Sequence, residues 1–375
     1  MAGPSPSPPR GLALGLSLAV GLFVLWLWAG AGSGGYFDGE LEVSERLARA
    51  VARRSHASAG LHHHSGHSRF DGQAQIAIDQ MTLLGLGQLL LRHPERRHDY
   101  LPAMEAAAAR LVDPATLGYA TSRYGQHGLS SLPAAGHAYL GYINLGLGML
   151  RRVDPDTPHA ALHDRLSERL ARLLDRDPHG MVETYPGETW PPDVAAVAGS
   201  VGLHGLATGR DWRPLLDRWA ERFAACAVHE SGYLVQRLAS GSCEPRDAPR
   251  GSGTAVAAYF LSFAHQPLAE RLYAAVRDYG QRSLLGFAAV EELAEGFRSR
   301  LDVNAGPTLL GLSVGATGFA LGAAAAHRDR ASFTRLYRSA SLFGLRLRRG
   351  DEERHAAGGL LGDALLLAML TAGPR

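Results

Sequence analysis

The feature that most constrains this chain is an alternation between two kinds of helix. Helical periodicity runs over 40–54, 71–91, 98–110, 132–152, 158–175, 190–207, 211–226, 252–265, 267–281, 306–326, 330–345 and 356–372, and strand patterns are sparse. One kind is rich in Ala, Gly and Leu and nearly free of charge, as in Gly136 to Leu150, Val194 to Ala207, Thr254 to Ala264, Gly306 to Ala326 and Ala356 to Leu370. The other is amphipathic and studded with Arg, Glu and Asp, as in Ala161 to Leu174, Trp212 to Ala225, Leu268 to Tyr279 and Ala331 to Leu345. A helix that is apolar all round is buried, and one with a charged face is half-exposed. Short breaks such as Thr208-Gly209-Arg210-Asp211 and Arg328-Asp329 join them. The segments Arg271-Leu272-Tyr273 and Arg335-Leu336-Tyr337 precede Gly280 and Gly344 at the same distance, a faint repeat. Six inner and six outer helices predict an all-α (α/α)6 toroid. By analogy with that architecture, the connections into the inner helices gather at one end around a cavity. An open α-solenoid is the alternative, but its repeats would be more alike and its inner helices poorer in Gly.

The N-terminus carries a separate signal. Residues 1–10 form a Pro/Ser-rich tail ending in Arg10, and 11–31 are uncharged with Trp26 and Trp28 near the far end. About 20 apolar residues suffice to cross a bilayer, and paired Trp suits its interface. The segment reads as a transmembrane signal anchor; a signal peptide cut after Ala29-Gly30-Ala31 is the competing reading. Arg10 precedes the span while Asp38, Glu40 and Glu42 follow it, which predicts a single-pass protein with its main domain outside the cytoplasm. Residues 32–69 are then a linker and first outer helix, and 70–375 the toroid domain.

Composition removes several chemistries. The formal net charge of +2 does not mark a nucleic-acid binder, and all 38 basic residues are Arg. Without Lys there is no Schiff-base lysine and no usual attachment for pyridoxal phosphate. The sequence has no Gly-rich phosphate loop, G-x-S-x-G or H-E-x-x-H, so no cofactor is expected. His62-His63-His64-Ser65-Gly66-His67 lacks a carboxylate or Cys partner at diagnostic spacing, and no metal is assigned. Cys226 lies on a helical face and Cys243 in a loop; two unrelated thiols are favoured over a disulfide, which an exported domain would permit. The oligomeric state is open.

The chemistry-bearing residues sit in connections leading into apolar helices. The stretch Met181 to Val194 packs Glu183, Tyr185, Glu188, Trp190 and Asp193 into a Gly/Pro-broken turn. Thr189 reads as a helix cap, with Pro in the first turn and Asp193 near the helix dipole, a structural job that competes with a catalytic one. Glu183 and Glu188 are acid/base groups or a solvated loop; Tyr185 and Trp190 form an apolar wall or plug the loop. His137 opens a Gly-rich helix and is a neutral acid/base group or a satisfied core residue. A second cluster runs from Arg298 through Asp302 and Asn304 to Gly306-Pro307. It offers a carboxylate, an amide and an Arg to a cavity, or a cap built from Asn304.

At Gly136-His137-Ala138-Tyr139-Leu140-Gly141-Tyr142-Ile143-Asn144-Leu145-Gly146-Leu147-Gly148 the chain resembles the linalool dehydratase/isomerase family, whose helix here is of the G-H-x-N-L-x-Y-G-L type. The family's following C-E-P…C-N loop corresponds to Val182-Glu183-Thr184-Tyr185…Pro192-Asp193. The resemblance continues through Gly232-Tyr233-Leu234, Ser252 to Phe263 and Asp302 to Ala326, and so spans most of 70–345. It implies an (α/α)6 toroid and cofactor-free acid/base chemistry in a largely apolar cavity, with His137 at the family's histidine. Both loop cysteines are absent. With Glu183 at the first position, Pro192 falls at the second, beside Asp193. A literal Cys243-Glu244-Pro245 occurs one helix pair later, and Asp71 and Asp79 are the candidates for the family's N-terminal Asp.

Three functions follow. The leading one is a membrane-anchored, cofactor-independent acid/base enzyme of lyase or isomerase type, with His137 and Glu183 exchanging protons with a small-molecule substrate. Asp193 and Asp302 assist, while Tyr185, Glu188, Trp190, Asn304 and Arg298 bind. The second is a glycoside hydrolase or polysaccharide-processing enzyme built on two carboxylates. The third is a non-catalytic, membrane-anchored binding or assembly protein.

Overall fold

The computed structural model describes residues 10–57, 68–121, 129, 138–299 and 306–374. Helices α1 (Arg10–Gly30) and α2 (Ser33–Asp38) precede the ring. Six apolar helices then form its inner wall: α4 (Ser68–Arg92), α7 (Leu140–Val153), α9 (Pro191–Thr208), α11 (Gly251–Leu261), α13 (Val314–Ala326) and α15 (Gly359–Leu370). Each packs on the next, and α15 returns to pack on α4, which closes the ring. Six amphipathic helices lie outside them: α3 (Leu41–Ala57), α5 (Arg97–Leu111), α8 (Ala160–Arg176), α10 (Arg213–Ala227), α12 (Gln266–Ala275) and α14 (Arg330–Phe343). The short α6 (Pro114–Thr121) lies against α4 and α5. The protein is an (α/α)6 toroid.

Glycine sets how close the inner helices come. A Cβ on Gly202 would lie 2.3 Å from the Phe263 carbonyl oxygen, and one on Gly85 would lie 2.9 Å from the Ala368 backbone nitrogen. Backbone therefore meets backbone at the α9–α11 and α4–α15 seams, and both approaches forbid a side chain. Side chains bridge the lower ring. Tyr259 of α11 reaches Gln88 of α4, the inner helix opposite, with its hydroxyl donating at 3.1 Å. Gln88 donates in turn to the Ala368 carbonyl at 2.8 Å, so α15 joins the plug.

Small β elements occupy connections that the periodicity reads as helix or loop. They are β1 (Glu188–Thr189) with β3 (Leu238–Ala239), and β2 (Leu234–Val235) with β4 (Pro249–Arg250). A sheet in the order β5–β6–β8–β7 combines β5 (Gln281–Leu284), β6 (Phe287–Glu291), β7 (Thr308–Leu309) and β8 (Leu312–Ser313). A last hairpin pairs β9 (Arg346–Arg349) with β10 (Glu352–His355). The helix expected at 306–326 thus begins only at Val314, because the preceding residues hydrogen-bond as a hairpin. The helix expected at 267–281 gives way to a π-turn at Val276 and then to β5. The helix expected from 132 is helical from Leu140, after a turn at Ala138 and Tyr139.

Cys226 and Cys243 form a disulfide, correcting the expectation of separate thiols. The end of an outer helix and the following loop are brought together by the fold, a proximity that periodicity does not report.

Candidate active site

Because inner and outer helices alternate in direction, the described connections from an outer helix into the next inner helix lie at one end of the ring, the mouth. The loop 177–190 leads from α8 into α9. Asp177 Oδ1 accepts from the backbone of His179 and Met181, both at 2.9 Å, and the Trp219 indole donates to the Gly180 carbonyl at 2.8 Å. These bonds fix its entry. Glu183 is half-buried, and its Oε1 accepts from Gly187 N at 2.7 Å within a tight turn closed by Tyr185 and Glu188. Gly187 takes φ 80° there, where a side chain would be strained. The Glu183 carboxylate is thus partly spent on its own loop. Its carbonyl accepts from Ala138 N at 2.9 Å, placing the turn before α7 directly beside it.

The remaining residues of this stretch separate by depth. Tyr185 is buried, and burial pushes the neighbouring Tyr139 phenol up, with Tyr185 adding to the shift. Glu188 and Trp190 lie at the rim: the indole donates to Glu188 Oε2 at 3.1 Å, and Arg237 sits 5.8 Å over the Trp190 ring. Thr189 belongs to β1 and does not cap α9, which begins at Pro191 with Trp190 at the cap position. Asp193 does stand in the first turn of α9. It also accepts a 2.5 Å hydrogen bond from Tyr142 of α7, a ring packed edge-on against Phe260 of α11.

A second constellation lies next to it, at the start of α11. Pro192 and Gln236 both crowd Gly253, where a Cβ would fall 2.4 Å from Gln236 Oε1 and 2.8 Å from Pro192 Cγ. One residue before Gly253, Ser252 donates to Glu292 Oε1 at 2.8 Å. Arg250 and Glu292 are each only 2 % exposed. The Arg250 guanidinium donates to Asp247 at 3.1 Å, to Ser299 at 3.0 Å and more loosely to Glu292 at 3.5 Å. Glu292 Oε2 has no hydrogen-bond donor at bonding distance among the described residues. Burial pushes the Glu292 carboxyl up from its ordinary value, against opposing contributions from Ser252, Ser313 and Arg250. Glu292, Glu291, Glu295, Arg282 and Phe297 line a cavity of about 460 Å³ at this point.

The structure therefore keeps Glu183, Tyr185, Glu188, Trp190 and Asp193 in one mouth-end loop and helix start, and spreads them from rim to interior. Arg298 is exposed and does not line the cavity that its neighbours Phe297 and Ser299 help to form. His137, Asp302, Asn304 and the histidines of 62–67 lie outside the described residues. The sequence reading missed Arg250, Ser252 and Glu292. Their signal was available: Pro249-Arg250-Gly251-Ser252-Gly253 is a helix start of the same kind as Pro191-Pro192-Asp193, and Glu291-Glu292 is a carboxylate pair. Asp79, a candidate for the resembled family's N-terminal Asp, does not reach this site. It is fully buried in the wall, where Arg110 donates to it at 2.6 Å and Gln75 at 2.9 Å, a structural ion pair. His179 approaches the sulfurs of Cys226 and Cys243, but the disulfide leaves no thiolate there for a metal.

No family model matches this chain, and no curated protein does either, so nothing supports the linalool dehydratase/isomerase family specifically. Among solved structures the chain is similar to a complex of an unsaturated glucuronyl hydrolase with the saccharide dGlcA-Glc-Rha-Glc, at 17 % identity over 88 % of each chain with a TM-score of 0.47. The ring assignment rests on the helix contacts described above.

Proposed function

We propose that the protein is a saccharide-processing enzyme of the glycoside hydrolase type, with Glu292 as proton donor. The observation that carries this reading is a buried carboxyl, held by Ser252 and pushed up by burial, that lines a cavity of about 460 Å³. A general acid is served by that shift, because it favours the proton-bearing form. Glu295, solvent-open on the same wall, supplies the second carboxylate that glycoside hydrolysis requires, as the base that activates water. Arg250 holds the Glu292 wall in place through Asp247 and Ser299. Asp193 and Tyr142 position substrate from the adjoining edge of the mouth.

The cavity wall also discriminates among substrates. An apolar substrate of terpene type needs apolar walls, whereas this wall sets three acids and two guanidiniums beside Leu293, Ala294 and one aromatic ring, Phe297. That pattern suits a polyhydroxylated ligand. The lyase or isomerase reading is weaker, since it leans on Glu183, whose carboxylate is engaged with Gly187. The non-catalytic reading has one observation in its favour, the Tyr259–Gln88 hydrogen bond that spans the lower ring. Helix α1 would hold the domain at a membrane, with the main domain outside the cytoplasm, because Arg10 stands at its start and Asp38, Glu40 and Glu42 follow it.

The test is turnover of a panel of neutral and acidic oligosaccharides, read as new reducing ends. Glu292→Gln and Glu295→Gln should each lower turnover by about 100-fold or more while the thermal midpoint stays within a few degrees. No turnover of any saccharide by the wild-type protein would refute the reading.

A further inference from the structure

Helix α1 is built into the mouth end of the ring. The Arg346 guanidinium donates to the Ala31 carbonyl at 2.6 Å and to the Trp28 carbonyl, and so caps the last turn of α1. It also donates to the Tyr337 hydroxyl, which itself donates to the Ala31 carbonyl at 3.1 Å. The Trp26 indole donates to the Leu285 carbonyl at 3.0 Å, with the Arg338 guanidinium 4.0 Å over its ring. Ala29 is fully buried, while Leu18, Val20, Leu22, Phe23 and Val24 are exposed. Cleavage after Ala31 would strip the buried Arg346 of two carbonyl acceptors. The helix is therefore a retained part of the fold whose apolar remainder is not covered by any of the described residues.

What receives α1 tells which way the ring faces. Leu285 is the tip of the β5–β6 hairpin, which connects α12 to α13, and Arg346 opens the β9–β10 hairpin, which connects α14 to α15. Both are connections into inner helices, hence mouth-end structures. Two turns there are capped by leucine where a hairpin favours Asn or Gly. Leu285-Gly286 and Leu310-Gly311 place Leu at φ 50° and 52°, and these leucines are 81 % and 94 % exposed. Leu284 and Leu309 beside them are exposed as well. The second tip adjoins the cavity, whose wall includes Thr308 and Gly311. A strained, exposed leucine at a turn gains nothing in water; against a bilayer it is an interfacial anchor.

We infer that the mouth faces the membrane from which α1 emerges, with the two leucine tips in the lipid interface. The substrate is accordingly the saccharide portion of a membrane lipid, presented from the bilayer surface. This substrate class rests on the saccharide-processing reading above; the orientation does not.

Two measurements test it, on the full chain reconstituted in phosphatidylcholine vesicles. Nitroxide labels at Leu285→Cys and Leu310→Cys, with the native disulfide kept, should be accessible to lipid-dissolved oxygen and shielded from an aqueous nickel complex. A label at Asp156→Cys, in the connection at the opposite end, should show the reverse. Labels at 285 and 310 that report water overturn the orientation whatever the activity. In the second measurement, the Leu284→Asn, Leu285→Asn double variant should lose about tenfold in rate on a lipid-linked oligosaccharide in the vesicles. It should keep the wild-type rate on the same oligosaccharide free in solution. Equal rates on both substrates for wild type and variant overturn the substrate class. Lipid-facing labels in a protein that turns over no saccharide would instead sink the proposed function and leave the orientation standing.

Discussion

The two ends of this ring are built on opposite rules. At the far end the links from inner to outer helices are 93–96, 154–159, 209–212, 262–265 and 327–329. They are terse, and below the mouth the axis is bridged by Tyr259 and Gln88. At the mouth the links are 177–190, 228–250, 276–313 and 344–358, long enough to carry four small sheets, a disulfide and the buried Arg250–Glu292 pair. Short links serve closure. Long ones carry backbone polar groups that must be paired locally, which is why hairpins appear there, and they hold the groups able to do chemistry.

The sharpest break of this contrast is Glu292→Gln. It should lower turnover by about 100-fold or more, equivalent to about 2.7 kcal/mol in the barrier, with little change in stability at neutral pH. The pH dependence has a definite sign. The folded protein holds the Glu292 proton more tightly than the unfolded chain does. Its contribution to stability is therefore fully present below the ordinary carboxylate range and is lost as pH rises through the raised folded value. Activity that needs the protonated acid falls over the same limb. The Gln variant should flatten this stretch of a melting-temperature profile against pH. A wild-type profile that instead rises through that range would contradict a protonated Glu292.

The next effect is on stability. The Cys226–Cys243 bond closes a loop of sequence separation 17 between the end of α10 and the 228–250 connection. Chain-entropy arguments give such a loop about 3 kcal/mol. Replacing both cysteines with serine should lower the denaturant midpoint accordingly, and loosen the mouth before the far end in hydrogen exchange. Arg346→Ala comes below that, at about 2 kcal/mol, from the loss of the charged donor shared by the Trp28 and Ala31 carbonyls and the Tyr337 hydroxyl. If α1 exchanges no faster in that variant, the helix is not held as described.

The helical ring was legible because its signal is periodic and local. Val194 to Ala207 has no charged face and so had to be inner, while Ala161 to Leu174 has one and so had to be outer. What escaped the sequence was non-local. Glu291-Glu292 lies at the end of a short strand, and only the chain's return brings it to Arg250 and Ser252. The partner that partly occupies Glu183 is its own Gly187, a turn geometry the residue types permit without requiring. Asp193 was legible twice over, as a helix-start charge and as a site residue, and its bond to Tyr142 does not force a choice between them.

The smallest prediction isolates the closed half of the ring. Tyr259→Phe removes one hydroxyl from a buried hydrogen bond to Gln88 and leaves the aromatic packing against Phe260 and Phe263 unchanged. Gln88 keeps its bonds to Ala368 and Thr371, so little more than its Oε1 loses a partner. A loss of about 1 kcal/mol follows, seen as a modest fall in thermal midpoint. Saccharide turnover should not change, because the plug lies below the mouth and touches none of the groups assigned to chemistry. Should this variant reduce turnover as strongly as Glu292→Gln does, the plug belongs to the substrate path and the two halves of the ring are one site.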